Sequence, residues 1–161
     1  MDKPLWTRAR WTNLKRYYKL LILPAIIVII AGFFSGFSEQ SYEQLAQSLL
    51  KERTNVLQNA YYGKVERELA EDYLDKVETY PLLSEDISSL RDSEPTDMDR
   101  VRSMEFSEIK QESKQFPYVS LSVTIRWHMS GPESDYFSDH EYSVILKSTN
   151  NGYKLAGFDP K

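Results

Sequence analysis

The sequence predicts an α+β domain that follows a single membrane-spanning helix. Residues 20–38 carry no charged side chain, apolar residues recur every three or four positions over 41–77, and apolar and polar residues alternate strictly over 118–130. Because the helical pattern precedes the strand pattern, we expect amphipathic helices packed on a curved antiparallel sheet of about four strands. The chain then divides into residues 1–19, 20–38 and 39–161.

Residues 20–38 have the length and composition of a transmembrane helix. From Leu20 to Phe37 such a helix extends over roughly 27 Å, close to the ~30 Å thickness of the bilayer hydrocarbon core. Two other interpretations remain open: a signal peptide cleaved near the small residues at 31–36, and a buried helix of a soluble protein. We expect an uncleaved signal anchor, because the apolar run is longer than that of a usual signal peptide.

Charge is distributed unequally on the two sides of this span. Residues 1–19 contain six Lys and Arg and one acidic residue, giving +5, whereas residues 39–161 contain 14 Lys and Arg and 23 Asp and Glu, giving −9. Positive residues next to a span stay on the cytoplasmic side. We therefore predict a single-pass protein of the cell membrane with a cytoplasmic N-terminus and an extracytoplasmic C-terminal domain.

The basic head at residues 1–19 combines positive charge with aromatic side chains, a composition suited to the lipid headgroup interface. The acidic outer domain is not expected to bind nucleic acid. The chain has no cysteine, which excludes a lipid-anchored lipoprotein, a disulfide scaffold and a thiol enzyme. We expect the head to contact anionic lipid through Trp6, Arg8, Arg10, Trp11, Lys15, Arg16, Tyr17, Tyr18 and Lys19.

The first helix of the outer domain is predicted over 41–61. Ser41 is the expected N-cap and Gln44 its capping-box partner, unless the membrane helix continues without interruption. Arg53 is the one gap in the apolar stripe of this helix.

Two further helical segments are predicted. An apolar stripe over 65–77 follows Gly63 and ends before Pro81, because a residue that precedes proline avoids helical geometry. Residues 84–90 predict a short helical turn, and residues 92–99 predict a loop.

Strands are predicted over the last part of the chain. Asn150, Asn151 and Gly152 are typical of a hairpin turn, because asparagine and glycine adopt positive φ at low cost. Residues 131–139 predict a polar loop. The expected strands are 101–111, 118–130, about 141–148, and 153–158.

The helical and strand segments resemble NTF2-like (cystatin-like α+β) domains over residues 41–159. The resemblance rests on the helical segment LLKERTNVLQNAYYGKVERELAEDYL, the strand VSLSVTIRW and the terminal pair EYSVILKSTNNGYKLAGFD, which contains the motifs at 153–155 and 157–159. It implies helices packed in the concave side of the sheet around a cone-shaped pocket. Membrane-anchored members include VirB8-like and TcpC-like components of bacterial conjugation and secretion assemblies, and sporulation proteins. This chain resembles that membrane-anchored group.

This resemblance and the predicted anchor favour a non-catalytic binding or assembly module whose partners are other envelope proteins or further copies of itself. Apolar residues beside loop signals are the expected partner contacts, namely Leu82, Leu83, Phe116, Tyr118, Tyr136 and Phe137. The alternative is a small-ligand sensor or enzyme that uses the cone. In that case we expect a pocket lined by Tyr61, Tyr73 and Trp127.

The sequence contains no convincing catalytic or metal-binding pattern. His128 and His140, with Glu133, Asp135 or Asp139, could hold zinc across one predicted hairpin. Two surface histidines beside solvated acids are the simpler interpretation. We therefore expect no enzymatic activity, no metal and no cofactor.

Overall fold

A computed structural model describes residues 41–92, 99–131 and 134–161 of the chain. Residues 41–161 form one compact unit. The predicted basic head and membrane span lie outside the described residues. Within the described ranges, no helix combines the length and the apolar character needed to cross a membrane.

The described part of residues 41–161 has the predicted α+β architecture, with three helices packed on one face of a four-stranded antiparallel sheet. The strands follow one another in the sheet in the order β1-β2-β3-β4, so the sheet is a simple meander. The helices are α1 (Tyr42–Tyr61), α2 (Arg67–Val77) and α3 (Leu82–Asp92), and the strands are β1 (Arg100–Gln115), β2 (Tyr118–Ser130), β3 (Asp135–Thr149) and β4 (Gly152–Pro160).

Helix α1 begins with the predicted cap. Ser41 has extended backbone angles (φ −58°, ψ 149°), and its hydroxyl oxygen accepts a hydrogen bond from the backbone N–H of Gln44 at 3.3 Å. Serine at this position satisfies one of the N–H groups that a helix start leaves without a partner. The helix therefore starts at Tyr42, because Ser41 itself does not have a helical conformation.

Three elements are clearly longer than the sequence predicted. Helix α3 covers Leu82–Asp92 where a turn over 84–90 was expected, and β1 continues to Gln115. Strand β3 begins at Asp135, although a loop was expected through residue 139. The start of β3 pairs with the end of β2, Tyr136 opposite Met129 and Ser138 opposite Trp127, so the neighbouring backbone supports a strand that lacks a long apolar run.

The alternation of β2 places one row of side chains in the core. Val119, Leu121, Val123 and Ile125 are at most 1% exposed and pack with Leu50 of α1. A second, smaller cluster lies among the helices and contains Ala60, Ala70, Leu74 and Leu90. The helices therefore fill the central part of the sheet face that they cover.

Both edges of the sheet are modified. Along β1 the pairing register shifts at three places, next to Arg102, Ser107 and Glu112. At the other edge, the backbone of Glu78 forms a parallel bridge with Leu155 of β4, and the N–H of Thr79 donates to the Leu155 carbonyl at 2.8 Å. Bulges and covering segments are the devices that limit pairing of sheet edges with other strands.

Candidate functional site

The residues predicted to contact a partner differ in their exposure. Phe116 is 87% exposed and Phe137 is 64% exposed, and about two fifths of Tyr118 and of Tyr136 is accessible. Leu82 is buried in the main core, so it is not accessible to a partner, and Leu83 packs against the second cluster.

The exposed aromatics Phe116 and Tyr118 border a groove of about 640 Å³ that also contains Tyr80. Tyr80, which the sequence reasoning did not single out, is 73% exposed. Ile145 and Gly157 form part of the groove lining, and a Cβ atom on Gly157 would come within 3.2 Å of the Ile145 side chain. We call this the aromatic groove. Its charged lining residues are Glu85, Lys147 and Asp159.

The three residues predicted to line one ligand pocket are not brought together. Tyr73 lines a cavity of about 500 Å³ with Val56 and Val65, between α1 and the start of α2. Tyr61 lies near the charged pair Arg53 and Asp86, and burial followed by the Asp86 charge raises its pKa. Trp127 belongs to a different cavity on the helix-facing side of the sheet.

That third cavity, of about 330 Å³, lies where β2 ends and β3 begins, and we call it the aromatic shelf. Its polar side chains form hydrogen bonds within the protein. The indole N–H of Trp127 donates to the Tyr142 hydroxyl at 3.0 Å, and the Tyr136 hydroxyl donates to Asp99 at 2.6 Å. The residues that line the shelf are Val101, Trp127, Met129, Tyr136, Ser138, His140 and Tyr142.

The two histidines lie on opposite faces of the sheet. His140 is paired with the buried Ile125, on the helix-facing side, and forms a hydrogen bond with Ser138. His128 is on the other side, where its ring stacks on Phe137 at 4.5 Å. His128 is three positions after Ile125 on β2, and side chains an odd number of positions apart on a strand point to opposite faces. These histidines therefore cannot share one metal ion. Among the described residues, no three His, Cys, Asp or Glu side chains come together as metal ligands.

The most strongly perturbed group is a buried cluster of three charged side chains, Arg53, Glu78 and Asp86, which we call the Arg53 cluster. Arg53 on α1 donates two hydrogen bonds to Asp86 on α3, at 2.8 and 2.7 Å. Glu78 is fully buried in the connection between α2 and α3, with one carboxylate oxygen 2.8 Å from the Arg53 Nε. Phe158 of β4 lies against the guanidinium, 5.0 Å from its carbon to the ring centre.

The carboxyl group of Glu78 has no hydrogen bond from any described residue, even though Arg53 is close. Its pKa is raised from 4.5 to about 8, chiefly because burial disfavours the charged form and then because of Asp86, whereas Arg53 acts in the opposite direction. A proton on Glu78 supplies the missing hydrogen bond, because Asp86 lies within hydrogen-bonding reach. The cluster is then electrically balanced, with one positive and one negative side chain.

Sequence reasoning noticed one sign of this cluster, the interruption of the apolar stripe of α1 by Arg53. Its carboxylate partners lie 25 and 33 positions further along the chain. Nothing in the local pattern distinguishes Glu78 and Asp86 from the many exposed acids around them. A buried arginine requires a partner, but the spacing does not identify that partner.

No family model matches the chain, and no curated protein matches it. Among solved structures, one that is similar is the crystal structure of the intermembrane space region of the chloroplast protein ARC6. The two are 11% identical in sequence, and the match covers 73% of this chain and 95% of that one, with a TM-score of 0.46. At that identity and TM-score, the likeness assigns neither a fold family nor a function.

Proposed function

We propose that this protein is a single-pass membrane protein whose extracytoplasmic domain is a non-catalytic binding or assembly module of a bacterial envelope complex. The observation that carries this proposal is the aromatic groove, in which Tyr80, Phe116 and Tyr118 are exposed around one cavity. Aromatic side chains dominate the energy of many interfaces when a partner buries them. The partner in this proposal is another envelope protein or a second copy of the chain.

The membrane topology in this proposal rests on the uncharged run at 20–38 and on the opposite charges of its flanks. Because the natural chain has no cysteine, single cysteines report topology directly. In intact cells, we expect a membrane-impermeant maleimide to label Ser89→Cys, on the exposed surface of α3, and not Thr7→Cys in the basic head. Labelling of both positions, or of Thr7→Cys alone, would contradict the proposed orientation.

The groove is tested by crosslinking in the native membrane. A photoreactive phenylalanine analogue at Phe116 should give a discrete crosslinked species, and the same analogue at the exposed Glu105 of β1 should not. Substituting Tyr80 by serine should reduce the Phe116 crosslink, because it removes another aromatic side chain that lines the same cavity. A crosslink that forms equally at both positions would indicate nonspecific proximity and would count against the groove as an interface.

We further propose that the domain is NTF2-like and related to the VirB8-like, TcpC-like or sporulation envelope proteins. The support is the order of three helices before a four-stranded meander, together with the motifs at 153–155 and 157–159. An experimental structure that superposes on NTF2-like domains across all seven elements would support this assignment. A superposition limited to the strands would refute it.

The alternative function, a small-ligand sensor or enzyme, requires an open concave face. The central part of that face is filled, since Leu50, Leu121 and Ile125 are at most 1% exposed and belong to one core cluster. The aromatic shelf is the opening beside the filled part. It therefore offers a binding surface without a buried cone.

A further inference from the structure

We propose that the aromatic shelf is a binding site for an organic cation, an ammonium or guanidinium group. Three aromatic side chains line it, Trp127, Tyr136 and Tyr142. The rings of Trp127 and Tyr142 stand at 84° to one another with their centres 6.2 Å apart, so they present two walls of different orientation. The face of an aromatic ring carries negative partial charge and attracts cations, tryptophan most strongly.

The walls are held in place by their neighbours. Tyr142 stacks on Phe158 with ring centres 4.3 Å apart, and its hydroxyl accepts the Trp127 N–H. Tyr136 is fixed through its hydroxyl by Asp99. A site whose side chains are already ordered loses less conformational entropy when a ligand binds.

The charge of the shelf favours a cation over an anion or a neutral polar molecule. No lysine or arginine is among the described residues that line it. Asp99 places a carboxylate next to Tyr136, and the hydrogen bond to that carboxylate is the first cause of the raised pKa of Tyr136. The indole N–H of Trp127 and the hydroxyl of Tyr136 are already bonded within the protein, so these two side chains offer a ligand their ring faces.

Six other aromatic rings in the described part of the domain already have a cation from the same chain. Within the described residues, basic side chains lie about 4 to 6 Å from ring centres on both helices and strands, a distance typical of cation–π contacts. Among the described residues that line the shelf, no lysine or arginine occupies a ring face in this way. The occupied pairs include Lys51 with Phe106, Arg53 with Phe158, Lys76 with Tyr73, Arg100 with Tyr62, Lys114 with Tyr42 and Lys147 with Tyr118.

Two kinds of ligand carry such a cation, a free quaternary ammonium compound and a protein with an exposed basic side chain. The experiment separates charge from shape by comparing choline with 3,3-dimethylbutanol, in which a neutral tert-butyl group replaces the trimethylammonium. The blocked amino acids Nα-acetyl-lysine amide and Nα-acetyl-arginine amide represent a protein source. His140 also lines the shelf. The titrations are made near pH 8, where histidine side chains are ordinarily neutral.

The readout is the methyl NMR signal of Met129, which lines the shelf, in the full chain labelled at its methionine methyl groups. Met1, in the basic head, is the internal control, because Met104 pairs directly with Trp127 of the shelf. The chain is kept in a maltoside detergent, because phosphocholine detergents carry the ligand group themselves. We expect saturable shifts of Met129 with choline or with a blocked basic amino acid, and binding of 3,3-dimethylbutanol at least about fivefold weaker than that of choline if choline binds.

Two shelf variants and one matched control complete the test. Tyr136→Leu and Asp99→Asn should each weaken cation binding several-fold, whereas His128→Leu, on the opposite sheet face, should leave it unchanged. Circular dichroism melting confirms that each variant folds. Equal binding of choline and its neutral isostere would overturn the proposal, as would the absence of saturable binding by every cation or cation binding unaffected by Tyr136→Leu and Asp99→Asn. Preference for choline assigns a free ligand, and preference for a basic amino acid assigns a protein partner.

Discussion

Arg53 connects four parts of the domain through one guanidinium group. It leaves α1, donates two hydrogen bonds to Asp86 on α3, approaches Glu78 in the preceding connection and lies over Phe158 of β4. Burying three ionisable side chains together is expensive unless their charges balance and their polar atoms are bonded. Protonation of Glu78 meets both conditions, and the stability of the domain should therefore depend on this proton.

The first prediction concerns the pH dependence of stability. Because the pKa of Glu78 is about 8 in the folded protein and 4.5 is its ordinary value, the folded state binds more protons between these values. The contribution of this group is fully present below about pH 4.5 and is lost as the pH rises towards and through 8, by at most about 1.4 kcal/mol per pH unit. Urea unfolding over this range should show that loss.

Glu78→Gln should remove this part of the pH dependence and make the protein more stable than the natural chain above pH 8. Glu85→Gln, an exposed substitution on neighbouring α3, controls for the general loss of one negative charge. If the natural chain and Glu78→Gln had parallel stability profiles from about pH 5 to 9, Glu78 would not carry the expected proton.

The second prediction concerns the cation of the cluster. Arg53→Met should lower the free energy of unfolding by about 3–5 kcal/mol, because it leaves buried carboxyl groups without their positive partner. The matched control is Arg91→Met, which removes the arginine of an exposed pair with Glu71. That change should cost at most about 1 kcal/mol. Similar losses in the two variants, measured by urea unfolding, would show that burial adds nothing to the Arg53 interaction.

Among the elements, the turn between β3 and β4 was correctly located from Asn150, Asn151 and Gly152. Gly152 has φ of 103°, which side chains with a Cβ rarely adopt, and Thr149 donates a hydrogen bond to its carbonyl oxygen at 2.7 Å. The turn chemistry was visible in the sequence because it depends on adjacent residues. The register of the last two strands follows from that turn.

The third prediction concerns Gly152→Ala. Open space surrounds the position of the added methyl group, so the cost arises from the backbone angle and not from a clash. We expect a loss of about 1–2 kcal/mol in thermal or urea unfolding. Asn150→Ala, in the same exposed turn, is the control and should change stability by no more than about 0.5 kcal/mol. An unchanged stability of Gly152→Ala would mean that the turn relaxes to another conformation.

The elements whose bounds were predicted less accurately are those whose conformation depends on residues far away in the sequence. The N-terminal half of β3 is polar, and its strand conformation comes from pairing with the end of β2, from Asp135 opposite Ser130 to His140 opposite Ile125. The same reason explains the unpredicted aromatic shelf. Its walls come from β2 and β3, and the pairing of those strands at this end was not predicted.

At the scale of the whole molecule, the buried face of β2 was predicted correctly from alternation, whereas the stripe over 65–77 was only partly correct and the predicted pocket residues were dispersed. Leu69 and Tyr73 of that stripe are 46% and 40% exposed, and Ala70 and Leu74 are buried. Neither alternation nor helical spacing determines how α1 and α2 are placed along the sheet, so Tyr61, Tyr73 and Trp127 could not be assigned to separate environments beforehand. The predicted membrane span lies outside the described residues and stays a prediction.

The fourth prediction is that residues 41–161 fold without residues 1–40. Both hydrophobic clusters are formed by residues within 41–161. The isolated segment should therefore unfold cooperatively, with a melting temperature within a few degrees of that of the full chain. Calorimetry of the two proteins in the same detergent tests this expectation. A broad, non-cooperative transition of the isolated segment would show that residues 1–40 contribute to its folding.

The two modified edges of the sheet affect how copies of this protein are able to associate. Register shifts interrupt β1 at three places, and the backbone at Glu78 and Thr79 covers part of β4. Strand addition, which produces stable fibres, is therefore disfavoured at both ends of the sheet. Copies that accumulate should associate through side chains and separate again on dilution.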